Sequence, residues 1–120
     1  MRPESGGAAI EWIHRLVAGD VEGFAPDLVF PETANALAGY VRARLVAEKR
    51  AGAILQALVR LPLEVIPGRQ LVPAAHRIAL ARGLTVYDAC YLAIADALGA
   101  VLVTADRRLA DAAVHSALLS

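Results

Sequence analysis

Three acidic residues, Glu32, Asp88 and Asp106, stand where a chain can hold carboxylates beside a ligand rather than on a solvated helix face. Asp106 follows the apolar run Val101 to Thr104 almost at once. That places its carboxylate at the carboxyl end of a strand, the edge at which open parallel sheets bind ligands. Asp88 opens one apolar helical stretch and Glu32 lies near the start of another. Three carboxylates drawn to one sheet edge repel one another, and hard divalent cations such as Mg2+ or Mn2+ offset that repulsion. Metal-assisted hydrolysis of a phosphodiester is the reaction such a cluster serves.

Each acid also has a purely structural reading. Asp106 suits the N-cap of a helix beginning at Arg107. Thr85-Val86-Tyr87-Asp88 satisfies a capping box. Glu32 sits where the helix dipole favours a negative charge whatever the function. Asp20 and Asp27 fall beside helix boundaries, Glu48 lies beside Lys49, and Asp96 and Asp111 are mid-helix on outer faces; none of these is assigned chemistry. His14, His76 and His115 lack metal-ligand spacing. Neither a Gly-rich phosphate loop nor a G-x-S-x-G elbow is present, which sets aside nucleotide-loop and acyl-transfer chemistry.

The elements that must position these acids follow from apolar spacing and its interruptions. Helical periodicity runs over residues 7–18, from about 26–28 to Val46, over 48–61, 71–82 and 88–98, and briefly over 106–113. Gly19, Pro62, Gly83 and Gly99 supply the stops. Short apolar runs at Val21 to Ala25, Leu63 to Ile66 and Ala100 to Thr104 read as strands, while 114–120 is ambiguous between strand and frayed end. Helices interleaved with short, all-apolar strands predict an α/β fold with a parallel sheet covered on both faces.

One unit of 120 residues is the expected organisation, large enough for a single core. The hydrophobic share is 58% and mean hydropathy is +0.51, above the roughly 45–50% apolar content of ordinary soluble domains. An exposed apolar patch, and with it self-association or a dedicated protein partner, is the expectation. Twelve basic and twelve acidic residues cancel, which removes a global positive field and leaves any RNA contact to a local patch. Candidates are Arg42, Arg44, Lys49, Arg50, Arg60 and Arg69, with Arg107 and Arg108 nearest the acids; a solvated helix face explains the same spacing. The lone Cys90 excludes an internal disulfide and a cysteine-rich zinc site. With no membrane-length apolar run or leader-like N-terminus, a cytoplasmic protein without a membrane partner is expected.

The stretch Thr85-Val86-Tyr87-Asp88-Ala89-Cys90-Tyr91-Leu92-Ala93-Ile94-Ala95, followed by Leu102-Val103-Thr104-Ala105-Asp106-Arg107-Arg108-Leu109, closely resembles the signature of PIN domains, VapC-type toxins in particular. Pro31-Glu32-Thr33-Ala34-Asn35-Ala36-Leu37 resembles the same family's glutamate-bearing helix, so the likeness covers nearly the whole chain. It implies a three-layer α/β/α fold around a short central parallel sheet. It also implies a metal-dependent endoribonuclease in which Glu32, Asp88 and Asp106 hold Mg2+ or Mn2+, with Thr104 as a supporting hydroxyl. The resemblance further implies a homodimer, an RNA substrate and a cognate antitoxin whose peptide segment covers the site.

The chain departs from the family at its start. PIN domains open with a central strand carrying a fourth acid, whereas here no aspartate precedes Asp20 and Met1 to Gly7 resembles the turn after that strand. The fold is therefore expected to lack the usual first strand, through truncation or a misassigned start. The alternative is a catalytically inactive PIN-like module acting only in dimerisation or partner binding.

Overall fold

The computed structural model describes residues 7–104 and 106–119. α1 (Gly7–Val17) leads through a turn with Gly19 at φ 81° into β1 (Gly23–Pro26). The strand begins two residues later than apolar content alone predicts, where Gly23 meets Leu63 at the start of its partner strand and passes close to its neighbours. A Cβ there would stand 2.7 Å from Leu16 Cδ1 and 2.8 Å from Leu63 Cδ2.

α2 (Val29–Arg42) stops before the expected Val46. Arg44 takes φ 60°, its N–H donates to the Val41 carbonyl, and the Leu45 N–H donates to the Tyr40 carbonyl at 2.9 Å. This is a Schellman closure with arginine in the left-handed position that glycine usually takes. α3 (Glu48–Arg60) and β2 (Leu63–Ile66) follow as predicted, with Pro62 between them. α4 (Gly68–Arg82) starts three residues before the expected Leu71, because the Gly68 N–H donates to Asp27 Oδ2 at 3.2 Å from the far end of β1. α5 (Val86–Leu98) is capped by Thr85, and Gly99 closes it at φ 61°. β3 (Leu102–Thr104), α6 (Arg107–Ala112) and β4 (Ser116–Leu118) complete the order, so the ambiguous tail contains a strand.

β1 pairs with β2 in parallel, Gly23 opposite Leu63 and Pro26 opposite Ile66. β3 pairs with β4 in parallel, Leu102 opposite Ser116 and Thr104 opposite Leu118. The mixture of helices and short parallel strands agrees with the α/β class. Among the described residues, however, the sheet is divided into two separate pairs.

The core explains why α5 is apolar nearly all round. One side packs Ala89, Cys90, Ala93 and Ile94 against Leu71, Ala75 and Ala79 of α4. The other joins Leu92 and Ala95 to Leu102 and Leu109. Small side chains let α4 and α5 approach closely. Leu92, fully buried, contributes about 1.5–3 kcal/mol by leaving water. Among the described residues no single helix is long and apolar enough to cross a membrane.

Candidate functional site

Glu32 is held in the first turn of α2, and its Oε1 accepts a 2.6 Å hydrogen bond from the Tyr91 hydroxyl on α5. This contact joins positions 59 residues apart. Burial pushes the Tyr91 phenol well above its ordinary value, and its hydrogen bond to Glu32 and the charges of Glu32 and Asp88 push the same way. Tyr91 therefore remains protonated and donates. The charges of both carboxylates reach one phenol, so Glu32 and Asp88 both lie near Tyr91.

Asp88 enters α5 one turn earlier. Its backbone N–H donates to Thr85 Oγ1 at 3.1 Å, so the threonine hydroxyl supplies the cap. The capping box is present in its forward half: the threonine does the capping, and no return bond from the Asp88 carboxylate is found among the described residues. The structural role thus falls to Thr85 and leaves the Asp88 carboxylate, half-buried, available for other work.

Asp106 does cap α6. Its Oδ1 accepts from the N–H groups of Arg108 at 2.9 Å and Leu109 at 3.3 Å, and its own N–H donates to Thr104 Oγ1 at 3.1 Å. The hydroxyl of Thr104 fixes the aspartate backbone, and capping engages only one carboxylate oxygen. Capping and ligand binding are compatible at this residue.

Asp27, set aside in the sequence as a boundary residue, belongs to the same neighbourhood. It follows β1 directly, its N–H donates to the Ile66 carbonyl at 3.0 Å, and its Oδ2 takes the Gly68 N–H. A negative charge there complements the N-terminal dipole of α4. The rule that singled out Asp106, an acid just beyond a strand, also finds Asp27. The Cys90 thiol beneath is raised by burial, with the charges of Asp27 and Glu32 adding to the shift.

The structure therefore brings Glu32 and Asp88 together around Tyr91 and sets Thr104 and Asp106 at the end of β3. Their oxygen donors suit a hard divalent cation by type. They do not converge: among the described residues no group of three His, Cys, Asp or Glu side chains is placed to hold a metal ion. Between the two halves runs an apolar groove of about 640 Å3, walled by β1 and β3 and bordered by α5 and α1. His14, His76 and His115 are exposed, as are Arg107 and Arg108.

Two parallel strand pairs with acids at the heads of the following helices define an α/β protein of the PIN class, and the PIN domain family matches residues 3–114. The chain belongs to that family. It is 36% identical over 103 residues to ribonuclease VapC3 of Pyrobaculum aerophilum, covering 84% of this chain and 79% of that protein. The crystal structure of PAE2754 from Pyrobaculum aerophilum superposes with a TM-score of 0.75 at 28% identity, covering 95% of this chain and 81% of the other.

Proposed function

We propose that this protein is a metal-dependent endoribonuclease, the toxin of a type II toxin–antitoxin pair, built as one PIN-like domain over residues 1–120. The observation that carries this reading is the family match, which spans the stretches bearing Glu32, Asp88, Thr104 and Asp106. Likeness to a protein named ribonuclease VapC3 adds to it.

Glu32, Asp88 and Asp106 are the proposed ligands of Mg2+ or Mn2+, with Thr104 steadying Asp106. Bound there, the ion would supply a lowered-pKa water and neutralise charge developing on a phosphodiester. The chain's own residues do the rest. Tyr91 orients Glu32, and exposed Arg107 and Arg108 at the head of α6 contact RNA phosphates without reading sequence. A cytoplasmic homodimer silenced by a cognate antitoxin, with no membrane partner, completes the proposal.

A second reading is supported by the lack of convergence among the acids: a catalytically silent PIN-like module that dimerises or binds a partner. Cleavage of a mixed RNA pool by the purified protein with Mn2+, beside Asp106→Asn purified identically, separates the two. The nuclease reading expects cleavage by the parent and about a hundredfold less by the variant, the scale on which a single catalytic group acts. RNA left intact by the parent at every Mn2+ and Mg2+ concentration would sink it and favour the silent module.

A further inference from the structure

The C-terminal end of α6 is closed from outside the helix. α4 and α5 each close on a left-handed glycine, whereas Ala113 after α6 is extended at φ −85° and ψ 150°. Its N–H donates to the Ala110 carbonyl at 3.2 Å, which leaves the Ala112 carbonyl as one of the orphan acceptors of a helix end. Arg82, the last residue of α4 and 30 positions earlier, donates to that carbonyl through Nη1. The other guanidinium nitrogen, Nη2, stands 3.8 Å from Oδ2 of Asp96 on α5. One planar fork therefore reaches both α5 and α6 from the end of α4.

α6 needs this support. It has six residues, and isolated helices shorter than about 12–15 residues are marginal even for good helix formers. Asp106 fastens its start, Leu109 anchors its middle in the cluster of Leu92, Ala95 and Leu102, and Arg82 holds its end. The cation also complements the negative pole of the helix dipole. The chain around Arg82 is fixed in turn: Ile78 and Leu84 pack on the same cluster, and Thr85 caps the first turn of α5, where Asp88 lies. Arg82 thus joins the corner leading to Asp88 with the far end of the helix that Asp106 begins. Both members of the Arg82–Asp96 pair are partly exposed, so their attraction through water is weak; its effect is to keep the guanidinium turned toward Ala112. Asp96, read from the sequence as an outer-face acid, has that part in the structure.

We propose that Arg82 is a positioning residue: by clamping the C-terminal end of α6 to α4 and α5, it fixes Asp106 relative to Asp88. Its catalytic consequence rests on the nuclease reading, whereas the clamp itself is measured without RNA.

The test compares the intact protein with Arg82→Ala and Arg82→Lys. Lysine keeps the charge but, lacking the fork, cannot hold Ala112 and Asp96 at once. Amide hydrogen exchange is read at Arg108 and Leu109, whose N–H groups donate to Asp106 Oδ1, and over α3 as a distant reference. Arg82→Ala should speed exchange at Arg108 and Leu109 about tenfold, the scale of one lost hydrogen bond to a charged group, and leave α3 unchanged. Arg82→Lys should show a smaller rise at the same two amides, and it decides the matter alone if Arg82→Ala does not fold. With RNA and Mn2+, kcat should fall about tenfold in Arg82→Ala at unchanged KM, because the variant misplaces Asp106 and removes no contact to substrate. Exchange at Arg108 and Leu109 equal to that of the parent would overturn the clamp, as would a rise shared equally by α3, which marks general loss of stability. Loosened amides with the parent's kcat would overturn the positioning role. RNA left uncut by the parent overturns the nuclease reading instead, and with it the catalytic consequence, while exchange still decides the clamp.

Discussion

Tyr91 and Asp106 each hold local structure, and the proposed function adds a second demand on the same side chains that can be measured apart. The Tyr91 hydroxyl is held protonated by burial and by its bond to Glu32. A group whose pKa is raised on folding gives stability that is full below its unfolded value, about 10 for tyrosine, and lost as pH climbs beyond it. Urea unfolding from pH 8 to 11 should therefore show an alkaline loss that is flatter in Tyr91→Phe, which cannot ionise. Cys90, raised by burial, adds its own loss over the same range and remains in both proteins. At neutral pH the variant should lose about 1 kcal/mol, the worth of one hydrogen bond in a half-buried site. An alkaline limb identical in both proteins would show that the phenol is not held by Glu32.

At Asp106 the cap uses Oδ1, which asparagine also provides. Asp106→Asn should unfold within a few tenths of a kcal/mol of the parent, whereas Asp106→Ala should cost about 1 kcal/mol by thermal or urea melting. Activity lost equally in both, with stability lost in one, would assign the charge to chemistry and the oxygen to the fold. Equal stability of the two variants would refute the cap.

At the scale of elements, helix ends decide how well the chain can be read. α4 and α5 end on Gly83 and Gly99 at φ 65° and 61°, and in each case the next residue's N–H reaches the carbonyl five positions back. Only glycine takes that conformation without strain, so these stops were visible in the sequence. Gly99→Ala has nothing to clash with, yet it should lower the melting temperature by about 4 °C through backbone strain alone, read by calorimetry. The end of α2 was hidden because Arg44 adopts the same conformation with a side chain that gives no signal. The start of α4 was hidden because its donor, Gly68, is satisfied by Asp27 from 41 positions away. The tail strand β4 exists through pairing with β3, a non-local cause that local spacing cannot carry. The places of Glu32, Asp88 and Asp106 beside element boundaries were legible in the sequence. The Tyr91 contact that orients Glu32 was not, since a tyrosine within an apolar helix reads as core.

At the scale of the whole molecule, charge and apolar surface pull in the same direction. Formal net charge is zero and the sequence pI is about 6.8, so copies meet near neutral pH without net repulsion. Large apolar side chains stand exposed across the molecule, among them Leu80 at 74%, Tyr87 at 67% and Val114 at 75%. Association of two copies through such surface would bury apolar area rather than match charges, and its salt dependence follows from that. Charge-matched interfaces weaken as salt screens them, whereas apolar ones hold or tighten, most of all in sulfate. Sedimentation equilibrium at micromolar protein should therefore show a dimer whose dissociation constant is unchanged or lower between 0.1 and 1 M NaCl (roughly the range over which the screening length falls from 10 to 3 Å), and lower again in sodium sulfate. A dimer that dissociates as NaCl rises would assign the interface to ion pairs such as those the surface arginines offer. A monomer at every salt concentration would leave the exposed apolar side chains to a partner of another sequence.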